Sequence, residues 1–213
     1  RLYYDKKAKR KKQYEDDMTV YNDDYIEISI YNKLREMKKE EKKIYSEKDF
    51  KAAENIVRIE IRCMKKKLKE LKKKFNMQTI DNFMKKADKI GRYLYKHYLS
   101  EMFGTGEIFT LKKAKEQFLL GDLKPKNIES LNEFLNFANE MRSVNKAYEI
   151  YCKADGKKET RRILNMFNYV DTSYVTMPNR ESKLFKQEYI PAPLDLVADC
   201  LNLDEDWRYN DEY

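Results

Sequence analysis

Two short runs of strict alternation constrain this chain more than any other feature. In "YIEISIYNK", Ile26, Ile28 and Ile30 alternate with Tyr25, Glu27, Ser29 and Tyr31, and in "NIVRIEIRC", Val57, Ile59 and Ile61 alternate with Arg58, Glu60 and Arg62. A period of two marks a strand with one buried face. The connection between them, "LREMKKEEKKIYSEKDFKAAE", is too long for a tight turn and helix-prone, so a short helix is expected in it. "MKKKLKELKKKF" then changes the period: Met64, Leu68, Leu71 and Phe75 are spaced by 4, 3 and 4, an apolar stripe expected to face the sheet with seven lysines around it.

Further on, "TIDNFMKKADKIGRYLYKHYLSEMF" reads as a helix, with Thr79 as its N-cap and Gly104 near its end. His97 sits among its aromatics, where a lone histidine is more often structural than catalytic. Helices are expected from Thr110, Asn127 and Lys157, with "SVNKAYEIYCKADG" as another between the last two. Two β-like runs, "YVTMP" and "LFKQEYIPAPL", follow around "NRESK". Helices followed by a β-ribbon point to a winged-helix or related helix-turn-helix module, with Lys157, Lys158, Arg161 and Arg162 near the start of its recognition helix. A helical bundle without a DNA role fits the same periodicity. The acidic tail is expected to lack order beyond Trp207.

Charge narrows the partners. Lys and Arg number 45 against 37 Asp and Glu, a formal +8, and the basic residues cluster. Six fall within positions 6 to 12, including Lys6, Lys7, Lys9 and Arg10; others are Lys66, Lys69 and Lys73 on the lysine-rich helix. Such clusters bind polyanions, although most charge runs are solvated faces. There is no run near the roughly 20 apolar residues of a membrane span, so no membrane role is expected. Three widely spaced cysteines and one histidine support neither a disulfide framework nor a zinc site, which suits a cytoplasmic location. Because a strand pattern begins almost at Arg1, a preceding segment is expected.

If the two alternating runs pair antiparallel, Tyr31 and Lys33 stand beside Arg58, Glu60 and Arg62. A solvated sheet face explains such a row, and so does phosphodiester chemistry. A phenol with an ordinary pKa near ~10 needs a base, a cation or a metal before it attacks at neutral pH. Arginine and lysine can stabilise charge on phosphate oxygens, and a carboxylate can hold a divalent metal that does the same.

In their order, "TVYNDDYIEISIYNKLREM", "NIVRIEIRCMKKKL" and, more loosely, "SYVTMPNRES…EYIPAPLDLV" resemble the C-terminal portion of phage and plasmid rolling-circle replication initiation proteins, the gene II/X-like family. The resemblance implies a metal-dependent nickase: a tyrosine attacks a DNA phosphate at the origin, leaving a 5′-phosphotyrosyl link and a 3′-hydroxyl that primes synthesis. Position by position it assigns Tyr31 and Lys33 from "IYNK", Glu36 from "LREM", and Arg58 and Glu60 from "VRIEI". Tyr21 in "MTVYN" is the first choice of nucleophile, Tyr31 the second, and Tyr3 and Tyr4 the third. The paired histidines of many such nickases are absent, so the ligands of the Mg²⁺ or Mn²⁺ are expected mostly outside this chain. Implied partners are single- and double-stranded origin DNA, with host helicase and polymerase.

The chain is therefore expected to be α+β. A small antiparallel sheet packed by helices would form the end of a nickase domain over 1–105, followed by a mainly helical, winged-helix-like DNA-binding part over 106–213. The rival expectations are a non-catalytic DNA-binding module and a structural or interaction domain of a mobile element.

Overall fold

A computed structural model describes residues 10–14, 18–22, 24–40, 44–179, 182, 186–201 and 203, with the backbone alone at 10–14 and 18–22. Lys6, Lys7, Lys9, Tyr3, Tyr4 and Trp207 lie outside the described residues. The chain is α+β and forms two compact units, with the boundary between Gly91 and Arg92. That boundary falls inside a 24-residue helix rather than after it, where the domain limit at 105 was expected.

The first unit is built on a four-stranded antiparallel sheet in sequence order: β1 (Arg10–Tyr14), β2 (Met18–Asn22), β3 (Ile26–Asn32) and β4 (Val57–Cys63). Both expected strands are present; "MTVYN", ahead of β3, is a further strand, and residues 10–14 of the basic N-terminal segment form another. The connection from β3 to β4 holds two helices, α1 (Lys33–Lys39) and α2 (Glu47–Ala52). Asn32 ends β3 and caps α1, its Oδ1 accepting from the Arg35 N–H at 3.1 Å. Ser46 and Asp49 form a reciprocal capping box on α2.

Helix α3 (Lys65–Lys74) follows β4, and Leu71 and Phe75 are buried as expected. Leu68 is 47% exposed, and the stem of Lys67 is buried in its place, with its ammonium 3.3 Å from Glu70. The cause is helical phase: 67, 71 and 75 keep a spacing of four, and a lysine can bury its methylenes while its charge finds a carboxylate.

Helix α4 (Ile80–Phe103) starts at Thr79, whose Oγ1 accepts from Asn82 N–H at 3.2 Å, and ends at Gly104 with φ +78°. Gly104 supplies the left-handed conformation that closes helices. In the second unit β5 (Ile108–Phe109) precedes α5 (Leu111–Leu120), α6 (Pro125–Glu140), α7 (Val144–Ala154) and α8 (Lys157–Tyr169). Helices α6, α7 and α8 pack pairwise on one another. Phe118, Phe134 and Phe167 are fully buried, with ring centroids 5.5 Å apart for Phe118–Phe167 and 5.9 Å for Phe134–Phe167.

The two β-like runs each meet the segment around β5: Met177 bridges Thr110, and β6 (Tyr189–Ile190) pairs antiparallel with β5. Among the described residues they thus flank β5 instead of forming a ribbon of their own. The sequence reading also missed helix α9 (Pro193–Leu201), which opens at a proline. No helix among the described residues is long and apolar enough to cross a membrane.

Candidate functional site

Strand pairing in the first unit decides which polar residues meet. Tyr31 stands opposite Arg58, Ser29 opposite Glu60 and Glu27 opposite Arg62. Directly opposed residues share a sheet face, so the expected polar row exists as a row. The isoleucines occupy the alternate positions, Ile28 opposite Ile61 and Ile30 opposite Ile59.

Tyr31 is only 7% exposed. Its hydroxyl donates to Glu60 Oε1 at 2.7 Å, and Arg58 Nε lies 3.4 Å from the same oxygen. At the end of β3, Lys33 pairs with Glu36 in the first turn of α1, and the Lys33 N–H donates to the Ile56 carbonyl at 2.9 Å. That backbone bond ties the start of α1 to the approach of β4. Of the expected site residues, Tyr31, Lys33, Glu36, Arg58 and Glu60 are thereby gathered at one end of the sheet.

The electrostatics give Tyr31 a definite state. Burial, the hydrogen bond to Glu60 and the charges of Glu36 and Glu60 push its pKa up to about 12, with Arg58 pulling the other way. At neutral pH the phenol is a protonated donor. Glu60 accepts from that phenol, and its charge favours the protonated form, so Glu60 does not make Tyr31 a nucleophile. The arrangement holds Glu60 and Arg58 in place through Tyr31, with the two carboxylates balanced by two cations.

Tyr21, the first choice for the attacking group, stands in register opposite Ile28. That is the row of the isoleucines, out of phase with Ser29 and Tyr31. Among the described residues no group of three or more His, Cys, Asp or Glu could hold a metal ion. Glu36 and Glu60 are already engaged by Lys33, Tyr31 and Arg58. These residues do not by themselves fit the divalent metal that the resemblance implies.

On α3, Lys66, Lys69 and Lys73 are exposed along one stripe, and Lys66 reaches Asp24 at 3.3 Å. In the second unit α8 lines an open depression of about 720 Å³ with Lys157, Lys158, Arg161, Arg162, Asn165 and Tyr169. Arg162 differs from its neighbours there. Its Nη2 and Nε bond Glu159 Oε1 at 2.6 and 2.9 Å, and its Nη1 donates to Asn127 Oδ1 at 3.0 Å, joining α8 to the first turn of α6. The bond from Arg162 holds the Glu159 carboxyl below its usual range. Asn165 and Tyr169 were not singled out from the sequence, although their helical phase matches that of Lys158 and Arg161.

His97 stacks on Tyr93 with ring centroids 5.8 Å apart and meets Tyr98 edge-on at 4.8 Å. The arrangement as a whole is that of an α+β protein with a tyrosine–carboxylate–guanidinium cluster on a sheet and a basic helix in a separate unit. Protein-family models, curated proteins and solved structures offer no match to the chain.

Proposed function

We propose that the chain serves a rolling-circle replication initiator of a phage or plasmid, which cuts one strand of origin DNA through a tyrosine and acts in the cytoplasm. The observation that carries this reading is the meeting of Tyr31 with Glu60 and Arg58, beside Lys33 and Glu36. Arg58 and Lys33 are suited to a scissile phosphate, and Tyr31 is a positioning residue that fixes Glu60. The resemblance supplies Tyr21 as the attacking group of this reading, although its register opposite Ile28 puts it out of phase with Tyr31 and Arg58, and the divalent metal takes its ligands mostly from outside this chain. Basic stripes on α3 and α8 are suited to the DNA backbone.

A second reading, a DNA-binding module that does not cut, is favoured by two observations: the Tyr31 phenol is held protonated, and Tyr21 is out of phase with the cluster. The full chain incubated with an origin oligonucleotide and Mg²⁺ or Mn²⁺ separates the two on a denaturing gel. A tyrosine-linked product that Tyr21→Phe abolishes supports cutting. Salt-sensitive DNA binding that survives both Tyr21→Phe and Tyr31→Phe, with no covalent product from the unaltered chain, replaces cutting with the second reading.

A further inference from the structure

Helix α8 exposes Lys157, Lys158, Arg161, Asn165, Asn168 and Tyr169. At 3.6 residues per turn these six positions fall within an arc of about 120°. The opposite side carries Thr160, Ile163, Met166 and Phe167, all buried. The exposed arc holds three cations, two amides and no carboxylate; the one acid in the first turn, Glu159, is taken up by Arg162. Arg162 is engaged by Glu159 and by Asn127 of α6, which leaves Asn165 and Asn168 as outward-directed amides of a fixed helix, with Arg161 exposed beside them and hydrogen-bonded to Tyr148 of α7.

We infer that this arc reads base sequence in the major groove of duplex DNA, with Lys157 and Lys158 on phosphates and Arg161 and Asn165 on base edges. The inference rests on the DNA-binding part of the reading above and goes beyond it in assigning sequence recognition. Three arguments select the occupant. A positive, carboxylate-free face complements a polyanion. Arginine and asparagine are the side chains that pair bidentately with guanine and adenine edges. A helix about 10–12 Å across fits the roughly 12 Å major groove of B-DNA, whereas the deep, narrow groove of duplex RNA shuts side chains out. Single strands are gripped mainly by aromatic platforms, and this arc has one aromatic, Tyr169, at its end.

Selection from a randomised duplex library by the full chain, followed by sequencing, tests this. The unaltered chain is expected to enrich a motif. Asn165→Ala should erase the preference at an A·T position and weaken binding to the selected duplex about ten-fold, and Arg161→Ala should do the same at a G·C position. Asn165→Asp should move the preference at its position towards cytosine, a gain that misfolding cannot imitate. Lys157→Ala and Lys158→Ala should weaken all duplexes alike and each lower the salt-dependence slope by about 0.9.

Enrichment of no motif, with salt-sensitive binding intact, overturns base reading and leaves DNA binding standing. The same motif from Asn165→Asp and Arg161→Ala as from the unaltered chain also overturns it. Tighter binding to single strands or to duplex RNA that Arg161→Ala and Asn165→Ala weaken assigns the arc another occupant and overturns it too. Absence of salt-sensitive binding to any duplex removes both the inference and the reading beneath it.

Discussion

The Tyr31 hydroxyl donates to Glu60 Oε1 across the β3–β4 pair at 2.7 Å, and the bond joins residues 29 positions apart in the chain. A phenol held in this way titrates late, at about 12. A tyrosine whose pKa is raised on folding adds stability that is complete below its unfolded value near ~10 and is lost as the pH climbs through the folded value. Absorbance titration of the unaltered chain against Tyr31→Phe should therefore show one phenol missing from the late-titrating group. Glu60→Gln should bring that phenol to a lower pH. An unchanged late-titrating group in Tyr31→Phe would contradict the assignment.

The lock of α8 on α6 predicts a thermal effect separate from DNA binding. Arg162→Ala should lower the melting temperature by a few degrees, because it also strands Glu159 and Asn127. The Glu159 carboxyl is held low, chiefly by its bond from Arg162, so its contribution is present above the ordinary carboxylate range and is lost as the pH falls below it. The difference in melting temperature between the unaltered chain and Glu159→Gln should accordingly narrow on acidification.

Phe167 is fully buried and contacts three aromatic rings, those of Phe118, Phe134 and Tyr174. Phe167→Ala should cost roughly 3–5 kcal/mol in chemical denaturation. Leu68→Ala, on the exposed side of α3, should cost less than about 1 kcal/mol. Equal losses from the two would show that the helical phases described here are wrong.

Gly106 offers no room for a side chain: a Cβ there would come within 2.2 Å of the Asp171 carbonyl carbon and the Thr172 nitrogen. Backbone cannot yield as a flexible side chain does, and the bonds from Glu107 N–H to Asp171 O at 3.1 Å and from Ser173 N–H to Glu107 O at 2.8 Å hold these segments together. Gly106→Ala should destabilise the second unit by about 1–3 kcal/mol or more. Melting followed at Tyr174 would detect it, since the Tyr174 hydroxyl donates to the Ser100 and Glu101 carbonyls in the last turn of α4 at 2.9 Å each.

Local pattern alone determined much of this protein. Alternation at Ile26 to Tyr31 and Val57 to Arg62 specified β3 and β4, and spacing specified α3, because a strand repeats every two residues and a helix every 3.6. The caps at Thr79 and Gly104 were legible since they act over a few residues. Once the two runs are taken to pair antiparallel, Tyr31 and Lys33 beside Arg58 and Glu60 also follow from the alternation, whereas Glu36 was assigned only by the resemblance. Only tertiary structure decided that "MTVYN" forms a separate strand, since a short polar segment becomes a strand through its neighbours. It also decided the register that sets Tyr21 opposite Ile28. The raised pKa of Tyr31 comes chiefly from burial and from Glu60, 29 positions later, and the bond that ties Arg162 to α6 comes from Asn127, 35 positions earlier. Charge and hydrogen bonding between residues far apart in the chain depend on where folding brings them, and no local period records that.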